Sequence, residues 1–162
     1  QNPLKNIEDK RMMSRMLVEM ARMDGRISER ERLFIDQFVN IERARLATLM
    51  QAPKLKAEDC EQVSDAGRPT VFLVVAAGAL SDDRLKGEEE DRLHQFADWF
   101  GFDAVARQRL LDMAQDYTLE LAIRSRFHRL RPDLLQQLAD HMGVAFTVAQ
   151  QVYDRVKAAR GE

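Results

Sequence analysis

Four carboxylates at matched spacing are the residues best suited to chemistry in this chain. Asp24 and Glu31 stand seven residues apart, and Asp82 and Glu89 repeat that spacing. Acids grouped around a turn can hold a hard cation through their oxygens. The first pair lies in Asp24-Gly25-Arg26-Ile27-Ser28-Glu29-Arg30-Glu31, which matches the second half of an EF-hand loop. In that register Asp24 is loop position 5, Gly25 the sharp-turn glycine at 6, Ile27 position 8, Ser28 position 9 and Glu31 the bidentate glutamate at 12. Positions 1 and 3 fall on Met20 and Arg22, which supply no carboxylate, so a complete EF-hand is rejected. In the second copy those positions fall on Gly78 and Leu80, and Asp83 replaces the turn glycine. Each copy is therefore a half-site. A shared divalent cation, of the calcium or magnesium class and weakly held, would need the two copies to face each other. Asp24, Glu31, Asp82 and Glu89 are the candidate metal ligands, and no catalytic or other cofactor residue is nominated. The same acids also have a structural reading. Glu31 can complete a capping box with Ser28, and Asp24 can stabilise the turn and the positive helix N-terminus. In the second copy Lys86 cannot accept as an N-cap, yet Glu89 is retained.

Other chemistry-bearing residues are less well grouped. Asp91 and His94 lie three apart on one helix face, as in Glu-x-x-His units of di-iron bundles, but such sites need a second unit and two further carboxylates. His128 and His141 have no matching partner. No nucleophile elbow, phosphate-binding glycine loop or His-Glu-x-x-His motif is present, and Cys60 has no base beside it in sequence, so no enzyme is expected. Residues 81–91 hold six acids and two bases, a solvated helix start or a docking surface for a basic partner. The opposite charge gathers at Arg124, Arg126, Arg129 and Arg131, just before Gln137-Leu138-Ala139-Asp140-His141-Met142-Gly143-Val144. With the following Thr147 to Arg155, this phrase resembles a helix-turn-helix and supports an alternative reading as a nucleic-acid-binding regulator. The opening of the would-be recognition helix, Thr147-Val148-Ala149, is poor in phosphate-contacting groups.

The elements that must position these residues are helices. Met12, Met16, Leu17, Met20 and Met23 form one stripe ending at Asp24-Gly25, and Ser28-Glu29-Arg30-Glu31 starts a second helix that carries Phe34, Phe38 and Ile41 inward. Arg45 to Met50 reads as a further short helix. Residues 52–67 form a linking loop with one turn of helix around Cys60. Pro69 suits the first turn of the next helix. Val71 to Leu80 reads as a buried helix, because no partner strand exists elsewhere. An amphipathic helix spans Glu88 to Phe100 with Leu93, Phe96, Ala97 and Phe100 on one side, and Gly101 stops it. Asp103 caps a helix running to about Tyr117, and further helices are expected over 119–130, 133–142 and 147–159, with Gly143 between the last two.

Two internal similarities organise this order. Residues 21–31 overlay 79–89, pairing Ala21 with Ala79, Arg26 with Arg84 and Ile27 with Leu85, and the register continues to Ile35 with Leu93 and Phe38 with Phe96. Residues 96–102 resemble 138–144, after which Gln108 meets Gln150 and Asp112 meets Asp154. The second similarity accounts for the helix-turn-helix phrase without DNA.

Composition sets the outer bounds. The 162 residues suffice for one domain with a proper core, with 45% hydrophobic and 32% charged residues, four Pro and seven Gly. A net charge of −2 provides no global attraction for nucleic acid or an anionic membrane. A single cysteine rules out an intrachain disulfide and a thiolate zinc cage, and is consistent with a cytoplasmic location. The longest apolar run, Val71 to Leu80, has ten residues against the about 20 needed to span a bilayer, so no transmembrane segment is expected. Gln1 to Lys10 is polar and charged, unlike a signal peptide, and a start at Gln1 points to a piece of a larger parent chain.

Met20-Ala21-Arg22-Met23-Asp24-Gly25-Arg26-Ile27-Ser28-Glu29-Arg30-Glu31 and its echo ending at Glu89 resemble the TerB-like family, the tellurite-resistance-associated domain related to the N-terminal part of certain DnaJ-type co-chaperones. The resemblance covers residues 12–114. It implies an all-helical bundle with pseudo-twofold repeats, here about 7–9 helices in a single domain over 1–162. The repeat copies would occupy about 12–50 and 70–117, with C-terminal helices over 118–160. It further implies an acidic surface that binds metal or a protein partner, and a role in bacterial stress response or as a module of a larger protein. By motif match the family's acidic positions fall on Asp24, Glu31, Asp82 and Glu89. Asp83 departs from the family pattern by standing where the turn glycine belongs, so the two half-sites are not equivalent.

Overall fold

The computed structural model describes residues 7–23, 29, 32–33, 48, 51–80 and 87–161. Among these residues the chain is all-α: seven α-helices, one short 3₁₀ turn and no strand. The helix expected after Ser28, with Phe34, Phe38 and Ile41, and most of the Arg45–Met50 helix lie outside the described residues.

Helix α1 (Ile7–Arg22) buries a wide face: Met12, Met13, Met16, Leu17, Val18, Met20 and Ala21. The short α2 (Ala57–Glu61) is the single helical turn expected around Cys60. Helix α3 (Arg68–Leu80) begins with Pro69 in its first turn, as expected, and carries no charge after Arg68. It is apolar on nearly every side because it is enclosed: it packs against α1 on one flank and against α5 (Ala104–Arg126) on another. The strand alternative for Val71 to Leu80 fails for the reason seen in the sequence, the lack of any partner strand among the described residues. Helix α4 (Gly87–Trp99) lies against α2 and α3 through Leu93, Phe96 and Ala97. The Phe102 ring meets Phe72 edge-on at 5.6 Å and Phe100 at 5.9 Å, sealing the α4–α5 corner onto α3.

Two helix ends show how the repeat works. Gly101 and Gly143 have φ of +82° and +70°, the left-handed region that glycine reaches without Cβ strain. At the first, the Phe102 N–H donates to Ala97 O at 3.0 Å and the Gly101 N–H to Asp98 O at 3.0 Å. At the second, the Val144 N–H donates to Ala139 O at 2.9 Å and the Gly143 N–H to Asp140 O at 3.2 Å. Both ends are Schellman caps with an apolar residue after the glycine. The next helix repeats too: Gln108 donates to Asp112 and Gln150 to Asp154, each at 2.9 Å. The likeness between 96–112 and 138–154 is thus a shared backbone solution.

One expectation is corrected. The sequence was expected to break near Tyr117, between helices over 104–117 and 119–130. Instead α5 continues for 23 residues to Arg126, followed by the 3₁₀ turn Phe127–Arg129. Thr118 does not break it, because its hydroxyl donates to the Ala114 carbonyl at 2.7 Å and lies 3.1 Å from the Gln115 carbonyl, which satisfies it inside the helix. At about 1.5 Å per residue α5 is roughly 35 Å long. It joins two apolar clusters. Leu110 and Ala114 belong to the core built around α1 and α3. Leu119 and Ile123 belong to a second core with Phe127 and with helices α6 (Pro132–Met142) and α7 (Phe146–Ala159). No described helix is long and apolar enough to cross a membrane.

Candidate functional site

The last turn of α1 and the first two turns of α4 face each other across an open cleft of about 840 Å³. Glu19 and Arg22 line it from α1, Met23 from just past its end, Lys54 from the segment before α2, and Glu88, Asp91, Arg92 and Gln95 from α4. Its floor is an ion pair neither of whose partners was singled out from the sequence. Arg92 Nη2 lies 2.9 Å from Glu19 Oε2 and 3.1 Å from Oε1, with Nε 3.1 Å from Oε2. The backbone of Leu55 joins both: its N–H donates to Glu19 Oε1 at 2.7 Å, and its carbonyl accepts from Arg92 Nη2 at 2.9 Å. Arg92 Nη1 donates to Gln95 Oε1. The guanidinium lies over Phe96 at 4.8 Å and Trp99 at 5.0 Å, one and two turns along its own helix. Side-chain exposures of 6% for Glu19 and 15% for Arg92 mean that each charge depends on the other. Both oxygens of Glu19 are occupied, so this acid holds the floor together and is not offered to a ligand. The rim is different: Glu88 and Asp91 are exposed, as is Lys54, while Arg22 donates to the Ala52 carbonyl at 2.7 Å.

The sequence carried a signal for this floor. Glu19 sits on the methionine stripe itself, at helical spacing from Met12, Met16 and Met23, and Arg92 is in register with Phe96 and Trp99. A charge on an apolar stripe announces a buried partner. Asp9 repeats the lesson one turn before Met13 and two before Met16. It is 1% exposed and accepts from the Ser64 N–H at 2.9 Å and the Ser64 hydroxyl at 2.5 Å, tying the start of α1 to the turn before α3. Gly67 stands against this carboxylate, and a Cβ there would overlap it.

Of the four predicted metal ligands, Asp24, Glu31 and Asp82 lie outside the described residues. Glu89 is in the first turn of α4, half-buried and already engaged by a neighbour. Among the described residues no three His, Cys, Asp or Glu side chains are grouped to hold a metal ion. Asp91 and His94 share a face of α4, Asp91 exposed at the cleft and His94 half-buried. Cys60 is fully buried. Burial, helped by the Asp59 charge and opposed by Arg92, pushes its thiol from 9.0 up to about 11, which keeps it protonated and a poor nucleophile.

At the other end of the chain the basic residues fall away from the start of α7. Arg160, just past the end of α7, bonds His128 through Nη2 and Nε2 at 2.8 Å and lies over the Phe127 ring at 4.7 Å. The cluster of Arg124 to Arg131 therefore meets the C-terminal end of α7, whereas a helix-turn-helix reads bases with the N-terminal residues of its second helix. No family model, curated protein or solved structure matches the chain.

Proposed function

We propose that this chain is a non-enzymatic, TerB-like interaction module whose repeated acidic turns bind a partner protein and take a weakly held divalent cation of the calcium or magnesium class. One observation carries the reading: the flanks of both turns line the same cleft. Met23 immediately precedes Asp24, and Glu88 and Asp91 follow Asp82 within the same acidic run. Two half-sites that each lack the first ligands of an EF-hand need such a common border to share one ion. At about 840 Å³ the cleft falls in the range of ligand-binding clefts, roughly 300–1,000 Å³. Its floor is self-neutralised by Glu19 and Arg92, which leaves the rim charges and the turns to meet a partner.

Trp99, the single tryptophan of the chain, stacks on Arg92 at the cleft floor and reports on the site. Calcium and magnesium titrations followed by its fluorescence and by thermal melting should give a weak, saturable change. Asp24→Asn with Glu31→Gln should abolish it, and so should Asp82→Asn with Glu89→Gln, because the ion needs both copies. A flat titration of the wild-type chain sinks the cation site, and loss in only one of the two double variants sinks the sharing.

A further inference from the structure

We propose that the end of the molecule formed by the last turn of α5, the 3₁₀ turn and the last turn of α7 binds the sugar–phosphate backbone of nucleic acid without reading its sequence. This surface is independent of the acidic cleft. Residues 121–132 hold four arginines and no acid. The Arg160–His128 bond at 2.8 Å brings the end of α7, with Lys157, to the same place, so six permanent cations gather there. Two neighbouring carboxylates are already committed: Glu120 pairs with Arg124 at 3.4 Å, and Asp116 pairs with Arg155 at 3.0 Å. Asp133, in the first turn of α6, is an exposed acid beside the cluster and lowers its net charge by one. Among the described residues no carboxylate pairs with Arg126, Arg129, Arg131 or Lys157.

Folding explains only part of this cluster. Arg124, Arg126, Lys157 and Arg160 lie where helices end and complement the negative pole of the helix dipole. Arg129 ends a 3₁₀ turn of only three residues, which has little dipole to complement, and Arg131 stands at the opposite pole. Arg131 is the N-cap residue of α6 and makes no capping hydrogen bond, so it places a cation at a positive helix pole, where an Asp or Ser belongs. A residue that violates its local rule, inside a cluster of like charge, marks a binding function. The partner is a polyanion without an apolar anchor. The exposed large apolar side chains among the described residues are Ile7, Leu33, Val105, Met113, Leu134 and Val148, and of these only Leu134, 39% exposed in the first turn of α6, lies beside the basic segments. One half-exposed leucine falls short of the packed centre of a protein hot spot, and a bilayer surface favours a broader inserting apolar face. Phe127 is buried and stacked on Tyr153 at 5.2 Å, so base stacking is not offered either. What remains is phosphate contact by arginine forks, and duplex DNA presents one charge per roughly 1.7 Å.

The test is fluorescence anisotropy of the full chain with labelled duplexes of unrelated sequence, across a salt series. The expected result is binding with no sequence preference. For about four phosphate contacts the affinity should fall roughly a hundredfold between 50 and 200 mM salt. Arg129→Ala with Arg131→Ala changes two exposed side chains, so it should leave the melting temperature in place and flatten the log–log salt slope by about 1.8. No binding at low salt would overturn the proposal. So would an unchanged slope in the double variant, or equal binding to polyglutamate or phosphatidylserine vesicles at matched charge.

Discussion

At the scale of single residues, the most consequential contacts are those of acids on apolar stripes. Glu19 is buried because Arg92 and the Leu55 backbone together satisfy both its oxygens. Removing one partner strands the other, and breaking such a pair costs about 3–5 kcal/mol. Arg92 keeps some solvent contact, so the lower end applies. In a chain of this size about 1 kcal/mol moves Tm by roughly 2–4 °C. Arg92→Ala is therefore expected to lower Tm by about 6–12 °C in scanning calorimetry, and Arg92→Lys to recover only part of the loss, because an ammonium cannot reproduce the guanidinium fork. A change in Tm of under 2 °C for Arg92→Ala would remove the ion pair from the list of what holds the cleft. Glu19 and Asp9 were both legible in principle, since each falls on the register of the buried methionines. Their partners were not: Leu55 and Arg92 lie 36 and 73 residues away from Glu19, and no local pattern relates them.

At the scale of elements, helix starts and stops were the most readable part of the chain. Gly101 and Gly143 end their helices, Asp103 accepts from the Ala106 N–H at 2.7 Å, and Pro69 sits in the first turn of α3, because each of these is a property of one residue's backbone or side chain. The exception was Thr118. A β-branched polar residue ends a helix when its hydroxyl competes for the backbone, and continues it when that hydroxyl bonds back one turn inside a packed helix. Which occurs depends on burial, which the local sequence does not state. If the two Schellman caps are one structure used twice, Gly101→Ala and Gly143→Ala should each cost about 1–2 kcal/mol in urea unfolding, and by similar amounts, since each forces a Cβ into the left-handed region. A neutral result at either position would show that this cap does not require glycine.

At the scale of the whole molecule, two apolar cores share one long helix. Unfolding either core frees half of α5 and exposes the other half's partners, so the cores should melt together. Phe72→Ala in the first core and Leu135→Ala in the second should each cost about 2–5 kcal/mol and shift one common calorimetric transition. Two resolved peaks, with each variant moving only its own, would mean that α5 does not couple them. By itself the sequence determined that the protein is helical, where most described helices begin and end, and that one helix–glycine–helix unit is used twice. Those features follow from apolar periodicity and single-residue backbone preferences, which act over a few residues. Only the tertiary structure decided that α5 runs unbroken between two cores. It alone set Glu19, Leu55 and Arg92 as the floor of a cleft bordered by Met23, Glu88 and Asp91, and it alone brought the end of α7 to the arginines of residues 124–131. These depend on burial and on contacts between distant segments, where the energy comes from exclusion of water and paired charge; local sequence can mark one partner, as it does Glu19, but not name the other.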